Sequence, residues 1–326
     1  MPKRLRNLIF TFSLALISLA AGGLLAELGW RYLRNYGYGP ATNLRYVVYD
    51  EILGWKYRPH TRVRHRREPF DVEVLIDDAG RRTGRSCRPE RPGGPRMVFV
   101  GDSFTFGLGV EADDAFPCRL ARQLDAEVFN LGVAGYGTDQ EYLALEAFAP
   151  GLRPDVVVLT YCQNDLFEVL SGRRYGRPKP RFFYDGDDLR LSPARERSWW
   201  LLDRHSSLNL SLRFFVERSR RRPLTEDEEA LARRIVLDLT DRMARRSVAL
   251  GARFLLVMEG AGWLRERFRP ATAGVRTLDV GPILKRRQKA TGKKMWIPGD
   301  GHWSVAGHRV VATQIAHALR EDDAKR

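Results

Sequence analysis

The stretch MVFVGDSFTFGLGV, residues Met97 to Val110, decides how the chain folds. Met97 to Val100 has the length and β-branched content of a buried strand, and it stops abruptly at Gly101-Asp102-Ser103. The glycines at 101, 107 and 109 permit a tight turn and close backbone approach. Open α/β sheets hold their ligands in the crevice beyond the carboxyl ends of their strands. A serine at such an end is displayed to that crevice. The competing reading is that Ser103 only caps the helix that follows.

Outward from this stretch, strands and helices alternate. A helix through AFPCRLARQL leads to a second strand, AEVFNLGV (126–133). TDQEYLALEAFA (138–149) reads as a helix opened by a capping pair, Thr138 and Glu141. PDVVVLTYC (154–162) is an apolar run suited to the centre of a parallel sheet. A helix from Glu226 to Leu250 stops at Gly251, ARFLLVME (252–259) and VRTLDV (275–280) supply two more strands, and SVAGHRVVATQIAHAL (304–319) is a terminal helix. This order predicts an α/β fold: a three-layer α/β/α, doubly wound, five-stranded parallel sheet of the flavodoxin-like kind.

The flanking regions differ in character. Lys3, Arg4 and Arg6 precede an uncharged run from Leu8 to Ala26, close to the ~20 residues a bilayer-spanning helix needs. Positive charge ahead of the run predicts a cytoplasmic N-terminus and an exported remainder. SLA at 18–20 resembles a signal-peptide cleavage site, but the apolar run continues past it, which favours an uncleaved anchor over residues 1–34. Residues 35–95, with NLRYVVYDEILGWKYRP and FDVEVLIDDAGRR, read as a small β-rich extension that ends in the Pro/Gly-rich linker RPERPGGPR (88–96). The main domain, 96–326, carries an insertion at about 168–225. PRFFYDGDDLRLS there predicts a hairpin turning at Asp185–Asp188. The aromatic and basic segment after it (198–222) is expected to pack on the main domain, the bilayer surface being the alternative resting place.

The net charge of +15 comes mostly from arginine, with clusters at 62–67, 81–85 and 218–222. No zinc-finger, helix-turn-helix or RNA-binding signature accompanies it, so no nucleic-acid partner is expected. A solvated surface, an anionic polymer or a lipid surface fits the charge. Cys87, Cys118 and Cys162 allow at most one internal disulfide, and Cys162, after an apolar strand, reads as a small core residue.

Chemistry gathers at the strand ends. Ser103 ends the first strand. Asn130, Gly132, Gly135 and Gly137 follow the second, Asn164 and Asp165 end the third, and Asp300, His302 and His308 stand before or within the last helix. In a parallel sheet these ends share one edge. A serine hydroxyl needs an adjacent base to become a nucleophile. His302 supplies one that titrates near neutrality, and Asp300 holds the ring's other nitrogen. The N–H groups of Ser103 and Gly135 and the amide of Asn164 are candidate donors to a tetrahedral oxyanion. Asp102 braces the turn, and Asp279 is a lesser candidate for the acid beside His302. Asp300, His302 and His308 leave any metal-ligand pattern incomplete, and no cofactor is called for.

GDSFTFG, NLGVAGYGT, CQND and DGHWSVAGH resemble the four blocks of the SGNH, or GDSL-like, hydrolase superfamily, over roughly residues 96–320. The resemblance implies a three-layer α/β/α fold and acyl transfer from esters. It makes Ser103 the nucleophile, His302 the base and Asp300 its partner, with Ser103, Gly135 and Asn164 forming the oxyanion hole. In the last block Asp300 and His302 flank only Gly301, where the family usually has two residues. That shorter D-x-H-W form is similar to the alginate acetylation proteins, which are membrane-associated acyltransferases. The extension's DEILGWKYRP resembles regions preceding the catalytic domain in exported, anchored members. The expectation is a membrane-anchored serine esterase acting on acylated, specifically acetylated, cell-envelope glycan. The alternatives are an O-acyltransferase using the same residues and a non-catalytic glycan-binding or assembly protein.

Overall fold

The computed structural model describes residues 2–35, 46–85, 87, 93–175, 177–194, 207–220, 222–269 and 274–323. The chain forms two compact units. One comprises Met1–Thr42, Tyr175–Arg177 and Glu196–Arg221, and the other Asn43–Arg174, Pro178–Arg195 and Arg222–Arg326.

In the first unit a helix runs from Lys3 to Asn35. Its Lys3–Trp30 portion has a hydropathy of 2.2 and no buried share, which makes it long and apolar enough to cross a membrane. A second helix, Ser207–Ser219, packs on it. Trp30 Nε1 donates to Ser211 Oγ at 2.9 Å, and Leu208 N–H donates to Glu27 Oε2 at 2.9 Å. This part of the insertion therefore groups with the N-terminal helix instead of the main domain. The rest of the expected segment, 198–206, lies outside the described residues.

The second unit starts with short antiparallel strands: β1 (Val47–Asp50), β2 (Gly54–Tyr57), β3 (Thr61–Arg67), β4 (Phe70–Ile76) and β5 (Arg82–Thr83). The main sheet is built from β6 (Arg96–Gly101), β7 (Glu127–Asn130), β8 (Val156–Cys162), β13 (Arg253–Glu259) and β14 (Val275–Asp279). Between β8 and β13 lie β9 (Arg173–Arg174), β10 (Arg177–Pro178) and the hairpin β11 (Arg181–Asp185) and β12 (Asp188–Ser192), which pairs Asp185 with Asp188 as expected. The main sheet is parallel, in the order β14-β13-β8-β6-β7. Numbered along the chain, that is the flavodoxin-like order 2-1-3-4-5.

Side chains leave β6 alternately, which makes the three layers. Met97 and Phe99 join one core with the helices Phe116–Leu124, Gly281–Thr291 and Val305–Asp323. Val98 and Val100 join the other, with Thr138–Leu152 and Glu226–Ala249. All seven residues of β8 are buried, as a central strand covered on both faces requires.

Two local expectations need correction. Gly137, not Thr138, caps the helix Thr138–Leu152, and Thr138 and Glu141 are fully buried without side-chain bonds among the described residues. The capping box occurs instead at Thr225 and Glu228. The second strand also ends at Asn130 rather than residue 133. Asn130 turns the chain there: its Oδ1 accepts Gly132 N–H at 2.9 Å and its Nδ2 donates to Thr105 O at 2.9 Å. A β-carbon on Gly132 would sit 2.6 Å from Phe106 N, so only glycine lets this loop approach the one after Ser103. Cys87 and Cys118 form a disulfide, and Cys162 is a buried free thiol.

Candidate active site

β6 delivers Ser103 to the sheet edge at the start of the four-residue helix Ser103–Phe106. Asp102 caps that helix, its Oδ1 accepting Phe104 N–H at 2.9 Å. The cap therefore belongs to Asp102, and the Ser103 hydroxyl makes other contacts. Ser103 Oγ lies 2.8 Å from His302 Nε2 and 3.4 Å from Asp102 Oδ2. His302 Nδ1 is hydrogen-bonded in turn to Asp300 Oδ1, and its backbone N–H reaches the same oxygen at 3.3 Å. The ring of Phe104 rests against His302, their centroids 5.0 Å apart.

Here the chain turns at the residue between the carboxylate and its histidine. Gly301 does this with φ +94, in the region that disfavours other residues. The short Asp-Gly-His spacing thus keeps the contact that a longer spacing would also allow. Asp279, the lesser candidate, accepts the N–H of Gly281 at 3.2 Å instead.

Asn164 precedes the short helix Asp165–Glu168, and its Nδ2 donates to Asp102 Oδ2 at 3.1 Å. An amide carries two N–H donors, so one stays available to a ligand. Gly135 is buried in the loop after β7, at φ +83. Hydrogen bonds from Leu131 N to Phe99 O (2.8 Å) and from Val133 N to Gly101 O (3.1 Å) hold that loop beside β6.

Electrostatics separate the two carboxylates next to the serine and histidine. Burial pushes Asp300 up, but the hydrogen bond and charge of His302, and then Arg67, outweigh it, so the carboxyl sits below its ordinary range. Burial pushes Asp102 up and prevails over the N–H of Phe104 and the amide of Asn164. Of the nearby histidines, His302 is the one in contact with Ser103, and burial holds the other two low. Burial, then Arg82 and Arg67, bring His65 down to about 4. Burial, then Arg82, brings His308 to about 3, and its Nδ1 accepts Phe116 N–H at 3.2 Å.

Sequence reasoning missed what the β-rich extension contributes. Arg67, at the end of β3, places Nη1 3.3 Å from Asp300 Oδ2. Arg82, in β5, is buried and donates to the carbonyls of Phe106 (2.8 Å), Gly107 and Val110 (2.6 Å), bracing the loop behind the serine. Tyr57 Oη accepts Ala134 N–H at 2.9 Å, next to Gly135. Arg67 and Arg82 stand inside charge clusters that read as solvated surface. Their neighbours Arg62, Arg64 and Arg66 do form exposed ion pairs, with Glu73 and Asp71.

The arrangement can deprotonate a hydroxyl, hold the resulting imidazolium with a carboxylate, and present N–H donors close by. The GDSL-like lipase/acylhydrolase family model matches residues 99–310. No curated protein matches the chain. Similar solved structures include TesA, at 14% identity and TM-score 0.39, covering 69% of this chain and 98% of that one. LAE5, an α/β hydrolase from the Lake Arreo metagenome, has 15% identity and TM-score 0.41, covering 69% and 95%. A catalytic mutant of Axe2, an acetylxylan esterase from Geobacillus stearothermophilus, has 16% identity and TM-score 0.39, covering 70% and 95%. The matched span opens inside β6 and runs into the last helix, enclosing the strand end of Ser103 and the turn of His302, and the chain belongs to the GDSL-like lipase/acylhydrolase family and is a serine esterase.

Proposed function

We propose that this esterase removes small acyl groups, acetyl above all, from cell-envelope glycan while anchored in a membrane by its N-terminal helix. Ser103 attacks the ester carbonyl and its proton passes to His302 Nε2. Asp300 stabilises the imidazolium. The tetrahedral oxyanion is held by the N–H groups of Ser103 and Gly135 and the free N–H of Asn164. Collapse breaks the ester C–O bond, and the leaving sugar oxygen takes the proton from His302. Water, deprotonated by the same ring, then attacks the acyl-serine, and the acid leaves with Ser103 restored.

The observation that carries this reading is the 2.8 Å contact between Ser103 Oγ and His302 Nε2, backed by Asp300. The serine is only 9% exposed, which favours a small acyl group. Lys3, Arg4 and Arg6 ahead of the apolar span favour export of the second unit, and the Cys87–Cys118 disulfide suits an oxidising compartment. Leu212 and Phe215, exposed on the helix that packs against the span, suit contact with lipid.

The test uses the full chain in nanodiscs with chromogenic esters of rising acyl length. Hydrolysis greatest for acetate and abolished in Ser103→Ala is expected, and hydrolysis retained by Ser103→Ala overturns the reading. Acetylated glycan as donor with a sugar acceptor separates the alternative. Acyl-sugar formed in preference to free acetate makes the protein a transferase with the same residues.

A further inference from the structure

We infer that Lys179, which arrives from the insertion, is a positioning residue for the esterase reaction: it ties the loop carrying Gly135 to the turn carrying Asn164, so that both face one oxyanion. This rests on the reading of Gly135 and Asn164 as oxyanion donors.

Lys179 stands between Pro178 and Pro180, and its side chain is completely buried. Its ammonium has three donors, and all three are used. One goes to Asp139 Oδ2, one to Glu168 O at 2.9 Å and one to Ser171 O at 3.3 Å. Asp139 lies in the first turn of the helix Thr138–Leu152, directly beyond the Gly135 loop. Glu168 ends the helix that Asn164 caps, and its own N–H donates to Asn164 O at 3.2 Å. One buried cation therefore spans the two segments that bring candidate donors to Ser103. They meet closely: a β-carbon on Gly137 would lie 2.7 Å from Glu168 Cβ.

The surroundings explain why a cation serves here. Asp102, Asp139, Glu141 and Asp165 are all buried, and burial raises each carboxyl above its ordinary value. Glu168 is paired with Arg174 at 2.8 Å. A developing oxyanion beside so many acids needs donors fixed in advance, because donors free to turn would bond to a carboxylate instead. Asn164 already gives one N–H to Asp102. Lys179 fixes the backbone on either side, which leaves the second N–H aimed at the substrate. A buried ion pair is weak evidence of net stability, so the placement of this one, not its strength, is what matters.

The experiment compares Lys179→Met, Lys179→Arg and Asp139→Asn with Asn164→Ala, in the full chain. It measures kcat and KM on an acetyl ester and the affinity of a trifluoromethyl ketone that forms an oxyanion only on adding to Ser103. Lys179→Met is expected to lower kcat about 100-fold with KM within about twofold, and to weaken the ketone by the same factor. Combined with Asn164→Ala, it should lose clearly less than the product of the two single losses, the remainder reflecting the Gly135 loop. Lys179→Arg keeps the charge but not the three-way geometry, and should lose about 10-fold in kcat. Full loss from Asn164→Ala with wild-type kcat in any folded Lys179 or Asp139 variant overturns the inference and leaves the oxyanion assignment intact. Multiplicative losses in the double variant, or unchanged ketone affinity, overturn it too. Wild-type kcat in Asn164→Ala sinks the oxyanion assignment itself and the inference with it. If Lys179→Met does not fold, Lys179→Arg and Asp139→Asn give the same reading.

Discussion

Carboxylates lie on two sides of Ser103, and their surroundings drive them apart. On the histidine side, Asp300 meets the imidazole of His302 with one oxygen and the guanidinium of Arg67 with the other, and its carboxyl is held low. On the other side, Asp102, Asp165 and Glu141 lie fully buried with other carboxyls near and, among the described residues, no cation paired to them, and burial pushes each up. Both Glu141 oxygens and Asp165 Oδ1 have no hydrogen-bond partner among the described residues. The same functional group is thus favoured as an anion in one place and disfavoured as one in the other. In the proposed mechanism Asp300, already bonded to His302, stabilises the cation formed there, and no step uses Asp165 or Glu141.

The sharpest way to break this contrast is to remove each charge while keeping its shape. Asp300→Asn should lower kcat by roughly 10⁴-fold, because an amide beside His302 favours the wrong tautomer. Asp165→Asn keeps an acceptor for Cys162 N–H, which now bonds Oδ2 at 2.9 Å, and should cost less than about 10-fold. Steady-state kinetics on one acetyl ester compares the two directly. Equal losses would mean the buried acid takes part in the chemistry.

Arg67→Ala is expected to act next most strongly, with a loss of about 10-fold in kcat through a less firmly held Asp300. It should also move acid unfolding to higher pH. A carboxyl whose folded value lies below its unfolded one contributes stability that is present above about pH 4 and is lost as pH falls toward the folded value. Arg67 is among the causes that hold Asp300 low. Without it, that loss begins sooner on the way down. Circular dichroism across an acid titration measures the midpoint, and an unchanged midpoint would mean that Arg67 does not act through Asp300.

These residues also divide into those legible in the sequence and those not. The five strands were legible because each is a short segment with β-branched or aromatic residues and its own turn signals, and β8, apolar throughout its centre, could hardly be anything but a central strand. Ser103, Asn164 and His302 stood out because a polar residue at a strand end or in a glycine-rich turn breaks an apolar pattern locally. Arg67 was invisible because its partner lies 233 positions away, and nothing local sets it apart from Arg66, which pairs on the surface. Lys179 carries no local sign that it would be fully buried in a chain with 55 basic residues. The Thr138–Glu141 pattern misled for a physical reason. The spacing of a capping box is met, but Gly137 takes the cap and Glu141 is drawn into the acid cluster.

Glu141 gives the smallest expected effect and the most direct reading of the buried side. Its folded carboxyl binds a proton more tightly than the unfolded one, chiefly through burial and then through Asp165 and Asp102. Between the two values the native state holds more protons than the unfolded chain, so stability falls as pH rises through that window and stays lower above it. Glu141→Gln places a neutral group of nearly the same shape in the same space and removes this dependence. A gain of about 1 kcal/mol near neutrality, read as roughly 2–4 °C in Tm, is the expected scale, with the gain gone by about pH 3, where both states are protonated. The variant should leave kcat within about twofold of wild type. Arg67→Ala loses stability toward acid and Glu141→Gln gains it away from acid, so the two titration curves should diverge from wild type at opposite ends of the pH scale. A Glu141→Gln that is destabilised at neutral pH would show that its carboxylate is wanted as an anion, and the two sides of the serine would then differ in geometry alone.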